Sequence, residues 1–143
     1  MHIDNALTLV KSHIEYQGYK LVSSREYYMN PVWKEVGYVK RSKPIIKLTS
    51  LLHEYGHIVQ EISSLSDIDS KDRNKAFIVI QEYDAWARGK ALAKELGIIP
   101  EDISEQEYDN EMAKYLVSYF EFVTFESRKN LRYLTNIYKT RTL

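Results

Sequence analysis

The spacing of apolar residues predicts a helix first and a small sheet after it. Apolar residues recur at three- and four-residue steps over residues 3–16, which predicts an amphipathic helix ending at Gly18. Runs rich in Val, Ile, Tyr and Trp then predict strands over residues 19–23, 32–41 and 44–48. Residues 41–44 read as a turn between the last two runs. We therefore expect a small, mostly antiparallel sheet.

Apolar residues recur at helical spacing in the last two thirds of the chain. The predicted helices cover about residues 49–62, 75–96, 105–125 and 128–138. Thr49 or Ser50 can cap the first of them, and Gly97 followed by Pro100 ends the second. Residues 63–74 are polar and turn-like. The expected fold class is α+β, with an N-terminal helix, a small sheet and several helices after it.

Composition limits the organisation and the partners. The 143 residues suit one domain spanning 1–143, with 44% hydrophobic and 28% charged residues. The 20 basic and 20 acidic side chains cancel, so we expect neither a nucleic-acid nor a membrane partner, and oligomeric state is left open. Cysteine is absent, which leaves His and carboxylates as metal ligands. With no signal sequence or membrane-length apolar run, we expect a cytoplasmic protein.

Three residues of one predicted helix carry the strongest chemical signal. His53 and His57 lie four positions apart, and therefore on one helical face, with Glu54 beside them. Two neutral imidazoles can hold one metal ion while a carboxylate that does not bind the ion takes a proton from water. The plainer interpretation is that both histidines are ordinary surface or core residues. It is disfavoured because two of the chain's four histidines flank Glu54 in this HExxH pattern.

A catalytic zinc ion normally has three protein ligands, so a third ligand is expected downstream. Glu82 lies on a stripe of apolar or small residues that includes Ala85 and Gly89. A carboxylate there is costly to bury unless it is paired or bound to metal. We predict Glu82 as the third ligand, the alternative being a rim position paired with Arg88 or a lysine. Weaker candidates, which point aside or lie in a solvated loop, are Glu61, Asp67, Asp69, Asp72 and Asp84.

Two short segments together resemble a known family. His-Glu-Tyr-Gly-His at 53–57 and Glu-Tyr-Asp-Ala-Trp at 82–86 resemble the gluzincin branch of the zincin metallopeptidases, over about residues 45–97. The resemblance implies a zincin-like fold, a zinc cofactor, and a peptide or protein substrate beside an edge strand. It also implies that Glu54 is the catalytic base. Many gluzincins have an Asp where this chain has Trp86, so another carboxylate, a backbone carbonyl or water must orient the histidine.

Several other residues have expected roles around such a site. Gly56, in mid-helix, predicts close passage of another backbone or of substrate. Candidate donors to the oxyanion of a tetrahedral intermediate are Tyr83, Tyr108, Tyr115, Tyr119, His2 and His13. Basic residues around the predicted hairpin are interpreted mainly as solvation and protection of an edge strand, with selection of acidic substrates or of a nucleic-acid-bound target as the alternative.

Two rival functions are consistent with the same motif. The first is a zinc hydrolase acting on a non-peptide amide or ester. The second is a binding or regulatory protein that keeps the zincin architecture without turnover, although an intact Glu54 argues against loss of chemistry. A DNA-binding regulator is disfavoured by the zero net charge.

Overall fold

The computed structural model describes residues 2–62 and 75–126. Within these ranges the chain forms five helices and three strands, an α+β arrangement. The helices are α1 (His2–Tyr16), α2 (Pro44–Ile62), α3 (Lys75–Glu95), the single turn α4 (Ile98–Glu101) and α5 (Glu105–Glu126), and the strands are β1 (Lys20–Ser23), β2 (Tyr28–Asn30) and β3 (Glu35–Tyr38). The sequence therefore predicted α1, α3 and α5 nearly to the residue. The expected helix over 128–138 and loop over 63–74 lie outside the described residues.

The sheet is mixed, so the prediction of a mostly antiparallel sheet is wrong. Its order is β1-β3-β2, with β1 parallel and β2 antiparallel to β3. A tight turn joins β2 to β3. In this turn the Asn30 side-chain oxygen accepts hydrogen bonds from the backbone N–H groups of Val32 and Trp33. This turn occupies residues that the sequence assigned to a strand, which shortens β3. The hairpin places β3 in the centre of the sheet, where Val36 is fully buried.

The strand predicted over residues 44–48 is also wrong, because these residues form the first turn of α2. A short apolar run fits a buried helix as well as a strand, and here the following leucines continue it at helical spacing. Pro44 is tolerated at the first helical position because its missing N–H has no intrahelical acceptor there. Thr49 consequently lies inside the helix, and its hydroxyl donates to the Ile45 carbonyl 2.9 Å away instead of capping the N-terminus.

Helices α2 and α3 pack with their backbones in close contact. A side chain at Gly56 would overlap the Ala85 carbonyl, and one at Gly89 would overlap the Leu52 carbonyl. The prediction that Gly56 marks a close backbone approach is therefore confirmed. Around this contact lie the fully buried side chains of α2, which belong to a core shared with α1, α3 and β3.

None of the helices within residues 2–62 and 75–126 combines the length and the apolar character needed to cross a bilayer.

Candidate metal centre

The close α2–α3 packing brings three of the predicted site residues together. His53 and His57 project from one face of α2, and Glu82 projects toward them from α3. Glu82 Oε2 lies 2.8 Å from His53 Nε2 and 3.1 Å from His57 Nε2. One ligand atom from each of the three residues lies within 4.8 Å of the other two, so the group can hold a metal ion.

The donor atoms fit a small divalent cation in kind and in spacing. Ligand atoms about 2.0–2.1 Å from a tetrahedral zinc ion are separated from one another by roughly 3.3 Å. The two observed nitrogen–oxygen distances are a few tenths of an ångström shorter, a difference that side-chain rotation can absorb. Two imidazole nitrogens and one carboxylate oxygen suit zinc, and they also suit other first-row divalent ions.

A chain of hydrogen bonds supports His57 on the side away from Glu82. His57 Nδ1 lies 2.9 Å from Gln60 Oε1. Gln60 Nε2 in turn donates to the Gln81 carbonyl at 2.7 Å and to Asp84 Oδ2 at 2.8 Å. Arg88 Nε donates to the same Asp84 oxygen at 2.7 Å. The sequence interpretation missed Gln60, although its position three residues after His57, on the same helical face, was an available signal.

His53 has a different environment, formed mainly by aromatic rings. Its side chain is 3% exposed and stacks on Trp86, with ring centroids 4.7 Å apart and planes at 9°. The Tyr115 ring lies 4.8 Å from His53, tilted by 60°. Trp86 therefore covers one face of the histidine ring. Its own indole N–H is buried without a hydrogen-bond partner among the described residues.

The two histidines have opposite tendencies to hold a proton. Burial lowers the pKa of His53, and its contact with Glu82 only partly opposes this effect. Burial also lowers the pKa of His57, but hydrogen bonding to Glu82 and the charges of Glu82 and Glu54 outweigh it and raise the pKa to about 9. Burial favours protonation of Glu82, but hydrogen bonds from both histidines hold its pKa well below the ordinary value.

Glu54 lies beside the cluster and has a perturbed acidity. It is 4% exposed, and its Oε1 is 3.7 Å from His53 Nδ1, too far for a hydrogen bond. Burial raises the pKa of Glu54 to about 7, an effect that the charge on His57 opposes and that on Glu82 reinforces. A carboxyl group with this pKa can take up and release a proton near neutral pH.

Among the candidate oxyanion donors, the structure places Tyr115 at the centre. Its hydroxyl donates to Glu82 Oε2 at 3.2 Å. Tyr108 is buried, with its hydroxyl on the Trp86 carbonyl, and Tyr83 is largely exposed. His13 lies on α1 and packs against the Tyr55 ring. The side chains of His2 and Tyr119 lie outside the described residues.

Of the weaker candidate metal ligands, the two among the described residues do not join the cluster. Glu61 is exposed, and Asp84 pairs with Gln60 and Arg88. Arg88 therefore bonds Asp84, whereas the alternative interpretation paired it with Glu82. Asp67, Asp69 and Asp72 lie outside the described residues.

Comparison of the chain with protein-family models, with curated proteins and with solved structures found no match. Interpretation of the centre therefore depends on its own geometry and chemistry.

Proposed function

We propose that the chain is a zinc-dependent peptidase with a zincin-like fold of the gluzincin type. His53, His57 and Glu82 are the proposed zinc ligands, and Glu54 is the proposed catalytic base. The observation that carries the proposal is the convergence of two imidazole nitrogens on one carboxylate oxygen between two closely packed helices. Three ligands leave a fourth position for water, as in catalytic zinc sites.

Each side chain then has a defined task. A zinc ion held by these ligands would supply Lewis acidity toward a water molecule and toward the scissile carbonyl. Glu54 would take a proton from the attacking water and pass it to the leaving nitrogen, and its burial, which raises its pKa in the metal-free protein, favours uptake of that proton. His53 and His57 hold the metal as neutral imidazoles, so the proton that His57 holds in the metal-free protein must leave on binding.

Tyr115 is the proposed donor to the developing oxyanion. Its hydroxyl reaches Glu82 Oε2 from α5, so it lies beside the proposed ligands. A hydroxyl donor that lies within the site before reaction needs little reorganisation to stabilise new negative charge.

The proposed substrate is an extended peptide lying against β2. β2 is an edge strand of the sheet and packs against α2, which carries both histidines. An exposed strand edge offers backbone donors and acceptors to a peptide, which is the common β-augmentation mode of recognition. The cysteine-free composition suits a cytoplasmic setting for this activity, which is part of the proposal.

The direct test combines elemental analysis with the Glu54→Gln variant. The wild-type protein purified without chelators should contain about one zinc per chain. Glu54→Gln should keep the zinc and the fold, because Glu54 is not a proposed ligand. Its turnover of peptide substrates should fall on the order of a hundred-fold or more, the usual contribution of general-base catalysis.

Glu61→Gln, an exposed carboxylate on the same helix, is the matched control and should keep wild-type turnover. Full turnover by Glu54→Gln would remove Glu54 as the base, and loss of zinc would make it a ligand. Turnover confined to non-peptide amides or esters would reassign the substrate class. Zinc binding without any turnover would favour a binding protein.

A further inference from the structure

Gln60 is an amide side chain buried between α2 and α3. Only 1% of the residue is exposed, and its two side-chain ends face different partners. The oxygen lies by His57 Nδ1, and the nitrogen lies by the Gln81 carbonyl and by Asp84 Oδ2. A buried amide stabilises the fold when its donors and acceptor are all matched, as they are in this arrangement.

The partners of Gln60 determine which way its amide points. The Gln81 carbonyl oxygen cannot donate a hydrogen bond, and the ionised Asp84 carboxylate cannot either. Arg88 donates to the same oxygen of Asp84 at 2.7 Å, and this ion pair with a guanidinium that is always charged keeps the carboxyl ionised. Both neighbours therefore require the NH₂ end of Gln60, and a flipped amide would set its oxygen against two other acceptors.

The orientation of Gln60 in turn determines the form of His57. Because the oxygen end of the Gln60 amide faces Nδ1, that nitrogen must carry a proton to form the 2.9 Å hydrogen bond. A neutral imidazole protonated at Nδ1 has its lone pair on Nε2, the atom that faces Glu82 and His53.

We propose that Gln60, held by Asp84 and the Gln81 carbonyl, is the positioning residue that keeps His57 in the Nδ1–H form and aims Nε2 at the metal. This inference rests on the proposed metal centre for its functional meaning, while the hydrogen bond itself can be tested without metal. Arg88 links the arrangement to the protein surface through Asp84.

The test compares Gln60→Met with Gln81→Ala. Methionine has nearly the length of glutamine but gives His57 no comparable acceptor, whereas Gln81 contributes only its backbone carbonyl, which alanine keeps. Zinc affinity, measured by competition with a chromophoric chelator, should fall about tenfold to a hundred-fold in Gln60→Met, the usual cost of losing a ligand histidine's partner. Gln81→Ala should bind zinc as the wild type does.

Nitrogen-15 NMR of the His57 ring gives a second readout that a merely structural role would not move. The Hδ1 proton should be protected from exchange in wild type and in Gln81→Ala, with and without zinc, and unprotected in Gln60→Met. The double variant Gln60→Glu with Asp84→Asn should recover part of the zinc affinity that Gln60→Glu alone loses. It keeps an acceptor for His57 and removes the repulsion between two carboxylates.

Wild-type zinc affinity and a protected Hδ1 in Gln60→Met would overturn the proposal, and so would a zinc-bound His57 with its proton on Nε2. If Gln60→Met does not fold, the double-variant rescue decides the matter, and its absence counts against Gln60. A wild-type protein that binds no zinc but shows Gln60-dependent protection of Hδ1 would refute the metal centre while supporting the orientation of His57.

Discussion

The two histidines of the candidate centre lie one helical turn apart and are held by opposite means. His53 is enclosed by the rings of Trp86 and Tyr115. Its Nδ1 makes no hydrogen bond within the described residues, and Glu54 Oε1 lies 3.7 Å from it. His57 is somewhat more accessible and is tied to Gln60 by a hydrogen bond. We call these the aromatic side and the hydrogen-bonded side of the centre.

The difference shows that ring stacking and hydrogen bonding constrain a histidine in different ways. Stacking on Trp86 fixes the plane of the His53 ring and excludes water, which stabilises its neutral form. It does not choose which nitrogen carries the proton. The hydrogen bond to Gln60 does choose, and it also leaves His57 able to hold a second proton, with a pKa raised to about 9.

Glu82 belongs to both sides, so its removal should have the largest effect. Glu82→Ala should lose zinc affinity by more than the tenfold to hundred-fold typical of an indirect partner, because it removes a ligand outright. Chelator competition with purified protein measures the loss. The matched control is Glu95→Ala, which removes an exposed acid from the end of the same helix and should bind zinc as the wild type does. Equal zinc affinity in Glu82→Ala and wild type would show that Glu82 is not a ligand, and the proposed centre would be wrong.

The parts of this centre that the sequence predicted are those with a short-range signal. His53 and His57 share a face because a helix repeats every 3.6 residues, and Glu82 stood out as an acid on an apolar stripe. Gly56 was interpretable because glycine is unfavourable in mid-helix without a packing reason. The structure brings the three proposed ligands together as the spacing required.

What escaped prediction depends on contacts between distant segments. The spacing of Gln60 from His57 places it within reach of that histidine, but the orientation of its amide depends on α3, which supplies the Gln81 carbonyl and Asp84 as partners. Parallel pairing of β1 with β3 depends on how the β2–β3 hairpin folds back, which no local pattern encodes. The run from Pro44 was ambiguous because five apolar-rich residues fit either period.

The aromatic side should contribute more to folding than to metal affinity. Trp86→Leu removes a ring that is 2% exposed and packs on His53 and Tyr108, so the free energy of unfolding should fall by about 2–3 kcal/mol. Zinc affinity should fall less than tenfold, because no hydrogen bond to a proposed ligand is lost. Urea unfolding and chelator competition measure the two effects. If Trp86→Leu lost as much zinc affinity as Gln60→Met, the aromatic side would contribute to metal binding as much as the hydrogen-bonded side does.

The smallest expected effect is a pH dependence of stability in the metal-free protein, and above pH 7.5 it should come mainly from the hydrogen-bonded side. The pKa of His57 is raised from 6.5 to about 9, so its stabilising contribution is complete below about pH 6.5 and is lost as pH rises through about 9. His53 has the opposite sign, because its lowered pKa means that stability is lost as pH falls below 6.5. Glu54, with a pKa raised to about 7, is already mostly ionised at pH 7.5, so its contribution to the pH dependence above that value is small.

Urea unfolding of the metal-free protein at pH 7.5 and at pH 9.5 therefore isolates His57 from the other two groups. The free energy of unfolding should fall on the order of 2 kcal/mol between these values, from a pKa shift of that size in a side chain that is 17% exposed. His57→Gln should remove most of the fall, whereas His53→Gln should keep it, since His53 is already neutral throughout this range. A fall of equal size in His57→Gln would assign the titration to another group, and the electrostatic contrast between the two sides would no longer hold.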